Sequence, residues 1–193
     1  MILYHGTGET LGKTILKTGF ISKDVKSNFS NFSICNNRKI INLQTESGYI
    51  YLTNYLSKAY YYANAGSKNE DEHIYIFKCN IPEKLLLPDL DEIRICYNSQ
   101  EEEFKELNSV ELLNKIKSTR IIKNIDFENY DVELLIIPCH LNLCMKKEGY
   151  LTSETGTLLK RFMELRCEKP NDLKELAELT EKIEKIYCWK KLK

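Results

Sequence analysis

Three stretches of the chain hold side chains whose types and spacing can do chemistry. The first is Leu3-Tyr4-His5-Gly6-Thr7, a histidine and a glycine closing a short apolar run. The second is ESGYIYLTNYLSKAYYYANA at 46–65, a short β run over 48–53 that turns into an aromatic-rich helix over 55–65. On a strand, Tyr49 and Tyr51 face one way and Ile50 and Leu52 the other. On a helix, Tyr55 and Tyr62 share a face two turns apart, and Leu56, Tyr60 and Ala63 share another. A strand tyrosine and a helix tyrosine can therefore line one cavity; the plainer reading is an aromatic core. The third stretch is YDVELLII at 130–137, where Asp131 and Glu133 share a face with Leu135 and Ile137. A carboxylate at the start of so apolar a strand either sits at a solvated end or points into a site. Paired aromatic faces attract a cationic ring, and a carboxylate stabilises positive charge that develops beside it.

Regular elements must position these groups. Residues 2–5 read as a strand. A helix follows over 9–18 with Leu11, Ile15 and Leu16 as its apolar stripe, Thr7 or Thr10 as its cap and Gly19 as its left-handed stop. Residues 22–47, rich in Asn, Ser and Lys, form a long connection, and loops of that length are usually functional. Residues 73–81 alternate as a strand ended by Pro82. Leu85, Leu86 and Leu87 lead to Pro88, and the acids Asp89, Asp91 and Glu92 read as a solvated turn in preference to a metal site. Residues 101–117 are helical with a break at Asn108-Ser109, where Ser109 can cap the second piece. Strands are expected over 119–125 and 130–139, the latter with 140–145 as its hairpin partner. Two helices close the chain: 154–166 with Leu158, Leu159, Phe162 and Leu165 on one stripe, and 171–190 with Leu173, Leu176, Leu179, Ile183 and Ile186. That apolar stripe either packs back on the core or receives a partner protein. Residues 1–145 are thus expected as the catalytic domain and 146–193 as a helical extension.

The bulk properties narrow the class. Lys plus Arg is 28 and Asp plus Glu is 28, so the basic excess of a dedicated nucleic-acid binder is missing. No apolar run is long enough to span a membrane, and nothing before His5 resembles a signal peptide. The seven cysteines are scattered without a CxxC pair, which reads as reduced thiols in a cytoplasm. Cys139-His140 with Cys144 lacks further ligands at zinc-site spacing, so no metal is expected. Thr7–Thr14 (TGETLGKT) nearly spells a phosphate-binding loop, but a β-branched threonine stands where the first glycine is required.

The chain resembles the ADP-ribosyltransferases, in particular the His-Tyr-Glu branch that includes the poly(ADP-ribose) polymerases. The likeness rests on LYHGT at 3–7, GYIYLTNYLSKAYYYA at 48–63 and VELLI at 132–136; residues 146–193 carry none of its motifs. It implies an α+β fold: two small, mainly antiparallel sheets in a split β-sandwich with flanking helices, a helical tail, and a cleft between the sheets for NAD, the ADP-ribose donor. By the same resemblance Gly6 would hold the nicotinamide carboxamide through its backbone, with Thr7 beside it. His5 would bond a ribose hydroxyl, and Tyr51 and Tyr62 would sandwich the nicotinamide. Glu133 would grip the 2′-hydroxyl of the nicotinamide ribose, and Asp131 would orient the acceptor. Ala59 departs from the pattern, since the polymerases place there a serine that also touches the carboxamide. That removes one hydrogen bond, roughly 0.5–1.5 kcal/mol, unless Thr7 or Ser57 compensates.

The polymerases' acceptor elements are not recognisable, so the resemblance implies a mono-ADP-ribosyltransferase of the toxin, effector or defence kind. Its acceptor would be a macromolecule, with charge neutrality favouring protein over nucleic acid. An antitoxin or other partner could sit on the C-terminal helices. Residues 22–47 could cover the site as a donor or acceptor loop. The alternatives are an enzyme like the RNA 2′-phosphotransferases, a non-catalytic module binding NAD or ADP-ribose, and a simple NAD hydrolase.

Overall fold

The computed structural model describes residues 1–25, 32–36, 39–43, 45–97, 101–165 and 173–192. The fold is α+β, with small antiparallel sheets and helices on both sides. Strand β1 (Ile2–Gly8) pairs along its length with β6 (His73–Asn80), and β6 pairs with β9 (Val132–Pro138). The outer edge of β9 takes the two-residue β10 (Lys190–Lys191). Strand β5 (Ile50–Leu52) forms a separate pair with β7 (Thr119–Ile121).

The two sheets are not stacked face to face, as a sandwich would have them. They meet edge to edge through the backbones of Tyr4 and Thr53, which exchange hydrogen bonds of 2.8 and 3.0 Å. Beyond that pair no backbone hydrogen bond joins β1 to β5 among the described residues, so the split lies between these two strand edges. A matching exchange between Leu87 and Arg120, at 2.9 and 3.1 Å, continues the array past β7.

Both faces of the main sheet are covered, which is why IYIF at 74–77 and LLII at 134–137 are continuous apolar runs, where alternation was expected of 73–81. One face packs Leu3, Phe77 and Leu134, with Ile50 and Leu52 of β5, against Ile15 of α1 (Glu9–Thr18). The other packs Ile74, Ile76, Leu135 and Ile137 against α2 (Leu56–Ala65), α7 (Glu154–Glu164) and α8 (Leu173–Tyr187).

Strand β1 runs to Gly8 and α1 begins at Glu9, so no loop is left to cradle a phosphate. Gly8, not a threonine, stands at the cap. The first turn is satisfied from a distance by Asp71, whose Oδ1 accepts from Thr10 N at 2.9 Å and Thr10 Oγ1 at 2.7 Å. Gly12 of the near-motif serves packing: a Cβ there would lie 2.4 Å from the Tyr75 ring. Gly19 ends α1 at φ 78°, as its position predicts.

Other differences are local. Asn108, not Ser109, caps α5 (Ser109–Ile116), through a reciprocal box with Glu111. Residues 140–145 are not a hairpin strand but belong to helix α6 (His140–Lys146). Within 22–47 a hairpin, β3 (Phe32–Asn36) with β4 (Lys39–Leu43), is described. The expectation that this segment covers a site falls largely outside the described residues. Helix α8 stops at Tyr187, short of the expected 190. Cys188 turns the chain at φ 51°, sending Trp189 onto Tyr4 with ring centroids 5.9 Å apart and Lys190 into β10. Among the described residues no helix is long and apolar enough to cross a membrane.

Candidate functional site

The split between β1 and β5 gathers most of the chemistry. Tyr4 turns its N–H and C=O toward β5, so by strand alternation Gly6 turns its own the same way, past the Tyr4–Thr53 pair. Helix α2 lies directly on Gly6. A Cβ added there would sit 2.3 Å from the carbonyl oxygen of Ala59 and 3.0 Å from Ala63 Cβ. The alanine that departs from the polymerase pattern is therefore part of the close contact that seats α2 on β1.

His5 bridges the mouth of the split. Its Nδ1 lies 3.1 Å from the carbonyl oxygen of Tyr51, an acceptor only, which makes Nδ1 the protonated nitrogen and leaves Nε2 to accept. Burial lowers the His5 pKa, with the Tyr51 carbonyl opposing, so the ring is neutral at pH 7.

The two tyrosines converge on one turn of helix. Tyr51 donates its hydroxyl to Asp91 Oδ2, and Tyr62 donates to Glu92 Oε2 at 2.6 Å. Both acids belong to the first turn of α3 (Leu90–Cys96). Asp89 caps that helix, accepting from Glu92 N at 3.0 Å and from Ser118 Oγ at 2.5 Å. Asp91 also takes Glu46 N at 2.9 Å and Arg94 Nη2 at 2.8 Å. Lys58, one turn before Tyr62 on α2, donates to Glu92 Oε1 at 2.7 Å and to the Ile116 carbonyl at 2.6 Å. These acids are not the solvated turn expected from sequence: Asp89, Asp91 and Glu92 are 3%, 2% and 8% exposed. The missed signal was Pro88-Asp89 with Glu92 three residues on, a helix start whose acids sit at the positive end of the helix.

Burial dominates the electrostatics. It raises the Asp89 carboxyl to about 6, helped by Glu92 and Asp91 and opposed by the Ser118 and Glu92 hydrogen bonds. Burial, then the neighbouring carboxylates, raise both phenols: Asp91 for Tyr51 and Glu92 for Tyr62. Both tyrosines therefore stay protonated donors across the physiological range.

Arg120 is the strand partner of Tyr51 and carries no sequence mark. It is 5% exposed, and its guanidinium carbon lies 3.9 Å from the centroid of the Tyr49 ring. Nη1 reaches Glu46 Oε2 at 2.7 Å, while Nε has no partner among the described residues.

The structure thus brings together Gly6, Tyr51 and Tyr62, joins His5 to them from the α1 face through the Tyr51 carbonyl, and leaves Thr7, Asp131 and Glu133 elsewhere. Thr7 pairs with Tyr75 on the α1 face of the sheet, opposite Tyr51. Ser57 has a buried hydroxyl without a partner among the described residues. Asp131 is exposed ahead of β9 and engages Asn80 N through its carbonyl. Glu133 shares the face of Tyr51 but lies in the row Thr53, Tyr4, Lys78, Glu133, three strand spacings or about 14 Å from Thr53. There it pairs with Lys78 Nζ at 2.5 Å, beside Trp189, whose ring lies 5.1 Å from the same ammonium. No protein-family model, curated protein or solved structure matches the chain.

Proposed function

We propose that this protein is an ADP-ribosyltransferase that uses NAD as donor, releases nicotinamide and passes ADP-ribose to a macromolecular acceptor. One observation carries the reading: Tyr51 of β5 and Tyr62 of α2 meet the same acidic turn, beside the split into which Gly6 turns its backbone. The groups fit the donor. A carboxamide needs one donor and one acceptor, and Gly6 offers both from one residue. A pyridinium is attracted by aromatic faces, roughly 0.5–2 kcal/mol for each good contact.

The reaction breaks the bond between C1′ of the ribose and the nicotinamide nitrogen. The bonding electrons leave with nicotinamide, which departs neutral, and C1′ takes on oxocarbenium character. An acceptor nucleophile then bonds to C1′ and gives up its proton. A carboxylate beside C1′ stabilises the developing charge. In this reading that carboxylate is Glu92, because it already touches Tyr62, and Asp91 holds Tyr51 in place. Glu133, three strands away, is read as a structural ion pair. Neutral His5 offers Nε2 to a ribose hydroxyl. The absence of net charge favours a protein acceptor.

The test is incubation of the purified protein with labelled NAD, with and without a bacterial lysate, following nicotinamide release and label entering protein or nuclease-sensitive material. Release with label in a macromolecule supports the transferase; release without label reduces it to an NAD hydrolase. A second reading, a module that binds NAD or ADP-ribose without turnover, has one observation in its favour. The tyrosine hydroxyls and the carboxylates already satisfy each other. Saturable binding with no nicotinamide released would favour that module.

A further inference from the structure

Among the described residues Arg120 is the charged side chain with a buried donor left unmet. Burying a guanidinium is costly unless its donors are met, and most buried arginines meet theirs with carboxylate, phosphate or backbone. Here the plane is held against Tyr49 at 3.9 Å, one donor goes to Glu46, the guanidinium also engages the Tyr51 hydroxyl, and Nε, although buried, has no partner among the described residues. The partner that is present is a poor fixture: the Glu46 side chain is 48% exposed, while that of Arg120 is 6% exposed. The nearby acid does not compete for Arg120, because Asp91 is already engaged by Tyr51, by Glu46 N and by Arg94. The geometry is a fixed, stacked fork with one edge unmet and a half-solvated carboxylate on the other.

We infer that Arg120 is an anion seat for the phosphate-bearing arm of a nucleotide ligand, and that Glu46 occupies it in the ligand's absence. A phosphate oxygen pair meets a guanidinium edge through two parallel hydrogen bonds, and Nε with a terminal nitrogen supplies such an edge. The ligand's anion meets Nε and Nη2, and its charge drives the Glu46 carboxylate off Nη1 into water. Tyr49 keeps the fork in plane while the partners exchange. The choice of NAD as the physiological ligand rests on the function proposed above; the seat itself rests only on Arg120, Tyr49 and Glu46.

The experiment is titration of the full chain with inorganic pyrophosphate and with ADP-ribose, read by calorimetry at two salt concentrations. The wild type, Arg120→Lys and Glu46→Gln are compared. Lysine keeps the charge but loses the planar fork, so Arg120→Lys is expected to weaken binding about tenfold or more. Removing the competing charge makes Glu46→Gln bind severalfold more tightly, and binding of all three weakens with salt. An Arg120→Lys protein that binds like wild type, or a Glu46→Gln protein that binds no better, overturns the seat, as does a wild type that binds neither probe. If Arg120→Lys fails to fold, Glu46→Gln alone decides, since its residue is at the surface. Arg120-dependent binding of ADP-ribose without nicotinamide release from NAD would sink the transferase and leave the seat. Nicotinamide release indifferent to Arg120 would do the reverse.

Discussion

Tyr51 donates its hydroxyl to Asp91, forty residues further along the chain, and Tyr62 repeats the arrangement with Glu92 one residue on. The two rings are therefore positioned less by the elements that carry them than by the first turn of α3. That turn is in turn fixed by Asp89, Lys58 and Ser118.

Removing either acid should be expensive. Asp91→Ala removes one carboxylate acceptor shared by the Tyr51 hydroxyl, Glu46 N–H and Arg94. Glu92→Gln keeps an acceptor for Tyr62 but takes the neutralising carboxylate from the buried Lys58 ammonium, which keeps only the Ile116 carbonyl of its two acceptors. Breaking a buried charge pair by removing one partner costs about 3–5 kcal/mol. Urea unfolding should show both variants losing at least about 2 kcal/mol, and a loss under 0.5 kcal/mol in either would mean that the turn is not what holds the rings.

The same residues rank the candidate acids for catalysis. Glu133→Ala removes an ion pair whose side chains are 27% and 22% exposed, a loss of about 1 kcal/mol or less. Nicotinamide release should stay within about threefold of wild type. Loss of one preorganised charge next to the reacting carbon costs about 100- to 1000-fold, which is the fall expected for Glu92→Gln, measured where the variant is still folded. The opposite ranking would return the acid role to Glu133 and move the reacting centre toward Tyr4 and Trp189.

What could be read in the sequence divides along the range of the interactions. The strands at 73–80 and 132–138, the helices at 9–18, 56–65 and 154–164 and the Gly19 stop follow from periodicity and backbone preference over a few residues, and they are where they were expected. The tyrosine unit was legible for the same reason, since β5 and α2 are joined by only three residues. The acids were not. Nothing local says that Asp91 and Glu92 turn inward, because their burial depends on Tyr51, Tyr62 and Lys58, which lie at least thirty residues away. Glu133 failed to join them for a topological reason: β6 stands between β1 and β9, and strand order cannot be read from the strands themselves. Arg120 was invisible because only pairing with β5 sets it beside Tyr51.

Gly6 is required by backbone contact, not by turn geometry. Its Cβ in Gly6→Ala would meet the Ala59 carbonyl at 2.3 Å, and a main-chain oxygen cannot rotate away. Helix α2 would have to lift from β1, and overpacking of this kind costs about 1–3 kcal/mol. Because α2 carries Tyr62 and Lys58, the lift also disturbs the acidic turn. The expected result is a lower melting temperature together with weaker NAD binding. Trimming Ala63 to glycine should not rescue it, because the closest clash is with the Ala59 backbone. Full rescue by Ala63→Gly would show that the side-chain contact at 3.0 Å is the limiting one.

Asp89 gives the fold a pH dependence of known sign. Burial raises its folded pKa from 3.8 to about 6, so between those values the folded state binds more proton than the unfolded chain. Stability attributable to this group is then full below about pH 4, falls as pH rises, and levels off above about pH 6. At neutral pH the carboxylate is ionised and destabilising by roughly 1–3 kcal/mol relative to a neutral isostere. Asparagine can still cap α3 through its carbonyl, while its amide nitrogen donates to a Ser118 hydroxyl turned to accept. Asp89→Asn should therefore unfold at higher urea than wild type at pH 7.5, match it near pH 4, and lack the decline between. A variant that loses stability at pH 7.5 would show that the ionised carboxylate, through Ser118 and the Glu92 amide, contributes more than its burial costs.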